Sequence, residues 1–183
     1  MITRLFILFI TLLLMPILLL LAIIILLDDG YPFLFTQQRI GINESRFKIY
    51  KFRTMKKDVG DIPTHLVNDR SSSIIRSGYF LRKFSLDELP QLFNIIFGDM
   101  KLIGPRPALY NQDDLINLRK ELGVNKLKPG ITGWAQVNGR DELSIKEKVD
   151  LDYYYLNNKG FIMSIKIILM TINKVLFAKN ISL

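Results

Sequence analysis

The 183 residues suffice for one ordinary domain with a core, and for no second independent one once a membrane segment is set aside. A formal charge of +8 and a pI near 9.7 suit the surface to anions, whether nucleic acid, anionic lipid or phosphorylated small molecules. The absence of cysteine and the presence of a single histidine, His65, exclude disulfides, thiolate metal sites and histidine-based triads, leaving carboxylates, basic groups and hydroxyls for any chemistry.

From Leu5 to Leu27 the chain is apolar except for Thr11 and Pro16. As a helix this stretch extends roughly 35 Å, enough for a hydrocarbon core of about 30 Å. A cleaved signal peptide fits less well, because its apolar core runs to only about 7–15 residues before a small-residue cleavage site, whereas Asp28-Asp29-Gly30-Tyr31-Pro32 follows here. Arg4 alone is basic before the segment, while Arg39, Arg46, Lys48, Lys51, Arg53, Lys56 and Lys57 follow it, which places the following domain on the cytoplasmic side.

Phe33–Arg39 and Phe47–Thr54 read as strands of a small hairpin turning at Gly41-Ile42-Asn43-Glu44. Lys56–Ser73 is polar and reads as a surface loop holding His65. Helical patterns follow at Ile74–Lys83, Leu86–Phe97 and Gln112–Leu122, with Gly/Pro-rich connectors at Gly98–Pro107 and Lys128–Gly133 and a short strand expected at Trp134–Asn138. Ser144-Ile145-Lys146-Glu147 has the form of a capping box opening a helix. The last helix, Phe161–Phe177, sets Ile162, Ile165, Ile168, Leu169, Ile172 and Leu176 at helical spacing, a stripe suited either to a core partner or to a membrane interface. Trp134 and the run Tyr153-Tyr154-Tyr155 read as core aromatics; no RNP, zinc or helix-turn-helix signature accompanies them, so nucleic acid is not an expected partner.

Chemistry concentrates in three strings. Ser85-Leu86-Asp87-Glu88 reads locally as a second capping box. A carboxylate in a first helical turn is kept ionised by nearby amide donors, which suits Asp87 to an anionic role. Adjacent helical residues point about 100° apart, so Asp87 and Glu88 need different roles. Arg106 lies between two prolines and Arg140 follows a glycine, settings in which a guanidinium can meet phosphate oxygens two at a time. Gly104 and Gly130 are also open to reading as simple turn residues.

Lys51-Phe52-Arg53-Thr54-Met55, Ser85–Asn94, Gly98-Asp99-Met100, Gly104-Pro105-Arg106-Pro107 and Pro129–Arg140 occur in the order and with the spacings of the bacterial sugar transferase family, and the chain resembles a small monotopic phosphoglycosyl transferase over nearly its whole length. The resemblance implies an α/β fold, mostly helical, with a re-entrant membrane helix over residues 1–30 and a catalytic domain over 31–183 at the cytoplasmic face of the bacterial plasma membrane, closed by an interfacial helix. Pro16 sits at the implied kink; Met15 stands where the family usually has serine, and Thr11 is the nearby hydroxyl suited to satisfy a freed carbonyl. The same resemblance assigns Asp87 as nucleophile and Mg²⁺ contact and Glu88 as its acidic partner. It sets Lys51, Arg53, Arg82, Arg106, Arg140 and Asp152 around the phosphates of a UDP-sugar donor and a polyprenyl (undecaprenyl) phosphate acceptor.

Overall fold

In a computed structural model of the chain, residues 2–57, 73–139 and 142–176 are described. His65, Arg140, most of the loop expected at Lys56–Ser73, and Phe177 lie outside them. The fold is mostly helical with small sheets. Its described residues fall into two compact units, one drawn from Met1–Gln37 and Tyr50–Ile96, the other from Gln38–Ile49 and Phe97–Ser182.

In the first unit, α1 (Ile2–Asp29) is a single helix containing Pro16, and is the one described helix long and apolar enough to cross a membrane. Leu5, Phe6, Phe9, Leu12, Leu13, Leu19 and Leu20 are exposed along it. A continuous apolar surface of that kind is stable against lipid and unfavourable in water. Proline leaves the carbonyl four residues back, that of Leu12, without its ladder amide. Thr11 does not serve that carbonyl; its hydroxyl donates to Ile7 O at 2.7 Å. Toward the C-terminal end, Leu18, Leu21, Ala22 and Ile25 pack with Phe52, Ile75 and Leu81 into a core.

The expected hairpin is present as β1 (Leu34–Ile40) and β2 (Arg46–Phe52), with a 3₁₀ turn at Ile42–Glu44. Its base belongs to the first unit and its tip to the second. Next comes α2 (Arg76–Lys83), packed so tightly that a Cβ on Gly78 would stand 2.4 Å from Thr54 O. The helix expected over Leu86–Phe97 divides into a 3₁₀ turn, Leu86–Glu88, and α3 (Gln91–Phe97). Pro90 is the cause: it has no amide to offer Leu86 O, which instead accepts from Leu89 N at 3.2 Å, and the turn tightens.

In the second unit, the two expected connectors form a short parallel pair, β3 (Lys101–Ile103) and β4 (Gly130–Thr132), with Lys101 opposite Gly130 and Ile103 opposite Thr132. Glycine permits this approach: a Cβ on Gly130 would lie 2.1 Å from Gly104 N, and one on Gly133 2.0 Å from Gly104 O. Gly104 and Gly130 are therefore close-packing residues as well as punctuation. Between the strands, α4 (Asp113–Glu121) is followed by a 3₁₀ turn at Val124–Lys126. The strand expected at Trp134–Asn138 is instead a one-turn helix, α5 (Trp134–Val137), closed by Val137 N donating to Gly133 O at 3.1 Å. Four residues are too few for periodicity to separate the two states.

The helix α6 (Ile145–Asn158) opens on the expected capping box, Ser144 N donating to Glu147 Oε2 at 2.7 Å and Glu147 N to Ser144 Oγ at 3.3 Å. The final helix is α7 (Phe161–Leu176), on which Ile162, Ile165, Leu169, Ile172 and Leu176 face outward while Ile167 is wholly buried. That stripe is thus not the core face. Thr171 and Thr132 hydroxyls lie 2.7 Å apart, and the exposed Lys166 reaches over Trp134, its Nζ 4.9 Å from the ring centre. Trp134 also stacks on Tyr154 at 5.9 Å; Tyr153 and Tyr154 are exposed rather than core residues.

Candidate active site

The first unit holds five of the expected residues, Lys51, Arg53, Arg82, Asp87 and Glu88, on three segments. Strand β2 carries Lys51, and its continuation carries Arg53 and Thr54. Asn94 of α3 accepts a hydrogen bond from Tyr50 N at 3.1 Å, fixing the end of β2 against the acidic string. With that register set, Lys51 Nζ meets Glu88 Oε1 at 2.8 Å, an ion pair with little solvent access on either side. Arg82 of α2 donates from Nε to Thr54 Oγ1 at 2.9 Å.

The capping box expected at Ser85 is not formed. Ser85 lies in the left-handed region at φ 54°, ψ 24° and makes no side-chain cap, and Glu88, the residue that would complete the box, is turned to Lys51. Sequence could not show this, because a hydroxyl three residues before a carboxylate is the same string whether or not it caps. In a 3₁₀ turn neighbouring side chains diverge by about 120°. Glu88 is accordingly buried while Asp87, one residue earlier, is half-buried. The two carboxylates occupy different environments.

Arg53, expected on phosphate, has another occupation. Its Nε donates to Pro32 O at 2.6 Å, one Nη to Asp29 Oδ2 and to Met55 O at 3.4 Å, and the other Nη to Gly30 O at 2.6 Å and Asp29 O at 3.1 Å. A guanidinium has five N–H donors, and these contacts use all five. The contacts answer a local problem: α1 ends on Asp28 and Asp29, where the helix dipole disfavours anions, and its last carbonyls need donors. Arg53 meets the Asp29 carboxylate and the last carbonyl of α1, that of Asp29, and Ser77 N and Oγ each donate to Asp28 Oδ2 at 2.7 Å.

In the second unit, Asp152 of α6 is buried and accepts from Arg119 of α4, Nε at 3.0 Å and Nη2 at 2.5 Å. Burial pushes its carboxyl above the ordinary range while the Arg119 charge and hydrogen bond pull it down. The remaining Arg119 donor, Nη1, reaches Arg106 O at 2.8 Å. Asp152 is thus sealed against a buried arginine. Arg106 itself is half-buried. Arg119 was missed in the sequence because it sits mid-helix among ordinary charged residues; only its apolar neighbours Leu115 and Ile116 hint that this face turns inward.

The family model for bacterial sugar transferases matches residues 1–178. The chain belongs to the bacterial sugar transferase family. This sugar transferase is 42% identical over 152 residues to the uncharacterised sugar transferase EpsL of Bacillus subtilis (strain 168), a match covering 83% of the chain and 74% of that protein. It is 38% identical to the undecaprenyl-phosphate glucose phosphotransferase of Komagataeibacter xylinus, over 84% of the chain and 31% of the relative. To the UDP-glucose:undecaprenyl-phosphate glucose-1-phosphate transferase of Escherichia coli (strain K12) it is 36% identical, over 90% of the chain and 37% of the relative. The chain therefore spans only about a third of the length of the latter two.

Among the described residues no three His, Cys, Asp or Glu side chains converge. Asp87, half-buried beside an ion-paired Glu88, offers the kind of sparse carboxylate footing that magnesium uses when substrate phosphates and water complete its six oxygens. The residues present fit that ion and no tightly caged one.

Proposed function

We propose that this sugar transferase moves a sugar 1-phosphate from a UDP-sugar to undecaprenyl phosphate, giving a polyprenyl-diphosphate sugar and UMP, as the first membrane step of glycoconjugate biosynthesis. The activities for which these relatives are named support the substrate classes. The observation that carries the chemistry is the Lys51–Glu88 pair at 2.8 Å, which occupies one carboxylate of the acidic dyad within the turn while Asp87 stays half-buried beside it.

In this reading an Asp87 carboxylate oxygen attacks the β-phosphorus of the donor. The bond from that phosphorus to the bridging oxygen breaks, UMP departs with the electron pair, and an acyl phosphate carrying the sugar remains on the enzyme. An oxygen of undecaprenyl phosphate then attacks the same phosphorus and Asp87 leaves as carboxylate. Lys51 holds Glu88 in place and brings positive charge to the dyad. Arg82, anchored on Thr54, and Arg106 and Arg140 take phosphate oxygens of the two substrates, the planar fork matching them bidentately. Mg²⁺ held by Asp87 and the diphosphate would neutralise the repulsion between two anions.

Membrane attachment is supported by the exposed apolar length of α1 and by the outward stripe on α7, which suits an interfacial helix lying against headgroups. We assign the protein to the cytoplasmic face, with α1 entering and returning by bending at Pro16, because a basic-rich stretch follows the helix. Incubating the detergent-solubilised chain with a panel of nucleotide-diphosphate sugars and undecaprenyl phosphate tests the activity. Release of nucleoside monophosphate dependent on one donor is expected, and no release with any donor would reject the reading.

A further inference from the structure

The loop Pro105-Arg106-Pro107-Ala108 is pinned at every carbonyl. Pro105 O accepts from Gly130 N at 2.9 Å, Arg106 O from Arg119 Nη1 at 2.8 Å, Pro107 O from Arg39 Nη1 at 3.2 Å, and Ala108 O from Ile40 N at 3.0 Å. Two of these donors are arginine side chains of different elements, β1 and α4. The flanking prolines fix their own φ, and Pro107 confines Arg106 to extended backbone. Beneath the loop, Ala108 packs with Leu115, Val149, Ile40, Ile116 and Ile145. A small pocket of about 30 Å³ beside the loop is lined by Pro105, Arg106, Pro107 and Arg119.

A buried ion pair contributes little net stability, since desolvation offsets the attraction. Arg119–Asp152 is such a pair, and Asp152 uses a single carboxylate oxygen to hold Nε and Nη2, leaving Nη1 aimed at Arg106 O. What the pair accomplishes is placement. We propose that Arg119, oriented by Asp152, and Arg39 are positioning residues for phosphate recognition: they fix the backbone from which Arg106 reaches a phosphate, and touch no substrate themselves. This rests on Arg106 binding phosphate as read above.

A double-mutant cycle on the full chain in detergent tests it, reading kcat/KM for nucleoside monophosphate release per folded molecule. Arg119→Lys keeps the charge against Asp152, but one ammonium cannot span both Asp152 and Arg106 O. A displacement of about 1 Å at a binding group costs on the order of 100-fold, so a loss of roughly 10- to 100-fold is expected in the wild-type background. In an Arg106→Ala background the same change should cost less than about twofold, because the group it positions is gone. Arg39→Gln, which leaves the Arg119–Asp152 pair intact, should repeat the pattern and serves if Arg119→Lys folds poorly. Equal losses in both backgrounds, or near-normal turnover in both positioning variants while Arg106→Ala fails, would overturn the inference and leave the reading of Arg106 standing. An Arg106→Ala enzyme of normal activity would overturn both.

Discussion

Arg53→Lys is the perturbation that best separates a structural from a substrate-binding arginine in this chain. The guanidinium serves five acceptors: the Asp29 carboxylate and the carbonyls of Asp29, Gly30, Pro32 and Met55. Lysine has three donors on one atom, so at least two acceptors lose their partner. Each buried acceptor left unmet costs about 1–3 kcal/mol. Asp29 retains 30% side-chain exposure and recovers some of that from water, which sets the expected loss at about 2–4 kcal/mol. For a chain of this size that corresponds to a drop in Tm of roughly 5–15 °C. Thermal unfolding in detergent, paired with nucleoside monophosphate release well below the new Tm, gives both quantities. The structure predicts a lowered Tm with turnover per folded molecule retained. An unchanged Tm with lost turnover would show that Arg53 serves the substrate rather than the end of α1.

Gly133→Ala should lower stability sharply, since its Cβ would lie 2.0 Å from the Gly104 carbonyl oxygen and backbone must move; a fall in Tm well beyond that of an exposed substitution is the expected result. If, as proposed, bending at Pro16 returns the N-terminus to the cytoplasm, a cysteine placed at Ile2 should resist a membrane-impermeant maleimide applied to intact cells; labelling from outside would mean a spanning helix. The Glu147 carboxyl is held below its ordinary range by its side-chain and backbone hydrogen bonds with Ser144. The capping contribution is therefore fully present above the unfolded carboxylate pKa and is lost as pH falls through the folded value. Helicity by circular dichroism should fall over that acidic range, and Ser144→Ala should flatten the dependence.

Much of the fold was legible where one signal dominates its neighbourhood. The 23-residue run Leu5–Leu27, apolar but for Thr11 and Pro16, the hairpin and the Ser144 box appear where expected. The failures share a different cause: a local pattern lost to a tertiary demand. Ser85 has the letters of a cap, but Glu88 is drawn to Lys51 on a strand 37 residues earlier, and Pro90 tightens the turn beneath it. Gly98–Pro107 and Lys128–Gly133 read as connectors because three-residue strands carry too little periodicity; their pairing depends on glycines whose role shows only when both backbones are in place. The stripe on α7 had the right period and left its fate open, and the buried residue proved to be Ile167, outside the stripe. At the candidate site, Lys51 and Glu88 are brought together as an ion pair, whereas Arg53 and Asp152 proved to bind α1 and Arg119. A charged residue's partner 24 or 33 positions away is set by packing, which one sequence does not disclose.

In the proposed reaction Asp87 becomes covalently bonded to the phosphosugar. Incubation with Mg²⁺ and the competent nucleotide sugar, without lipid acceptor, should release up to one equivalent of nucleoside monophosphate per enzyme, and peptide mass spectrometry should find the phosphosugar on the peptide containing Asp87. Asp87→Asn removes the anionic nucleophile at nearly constant shape and should abolish adduct, burst and turnover while the protein still folds. An unmodified Asp87 peptide under conditions that support turnover, or an active Asp87→Asn enzyme, would contradict the account and point to direct attack by the lipid phosphate.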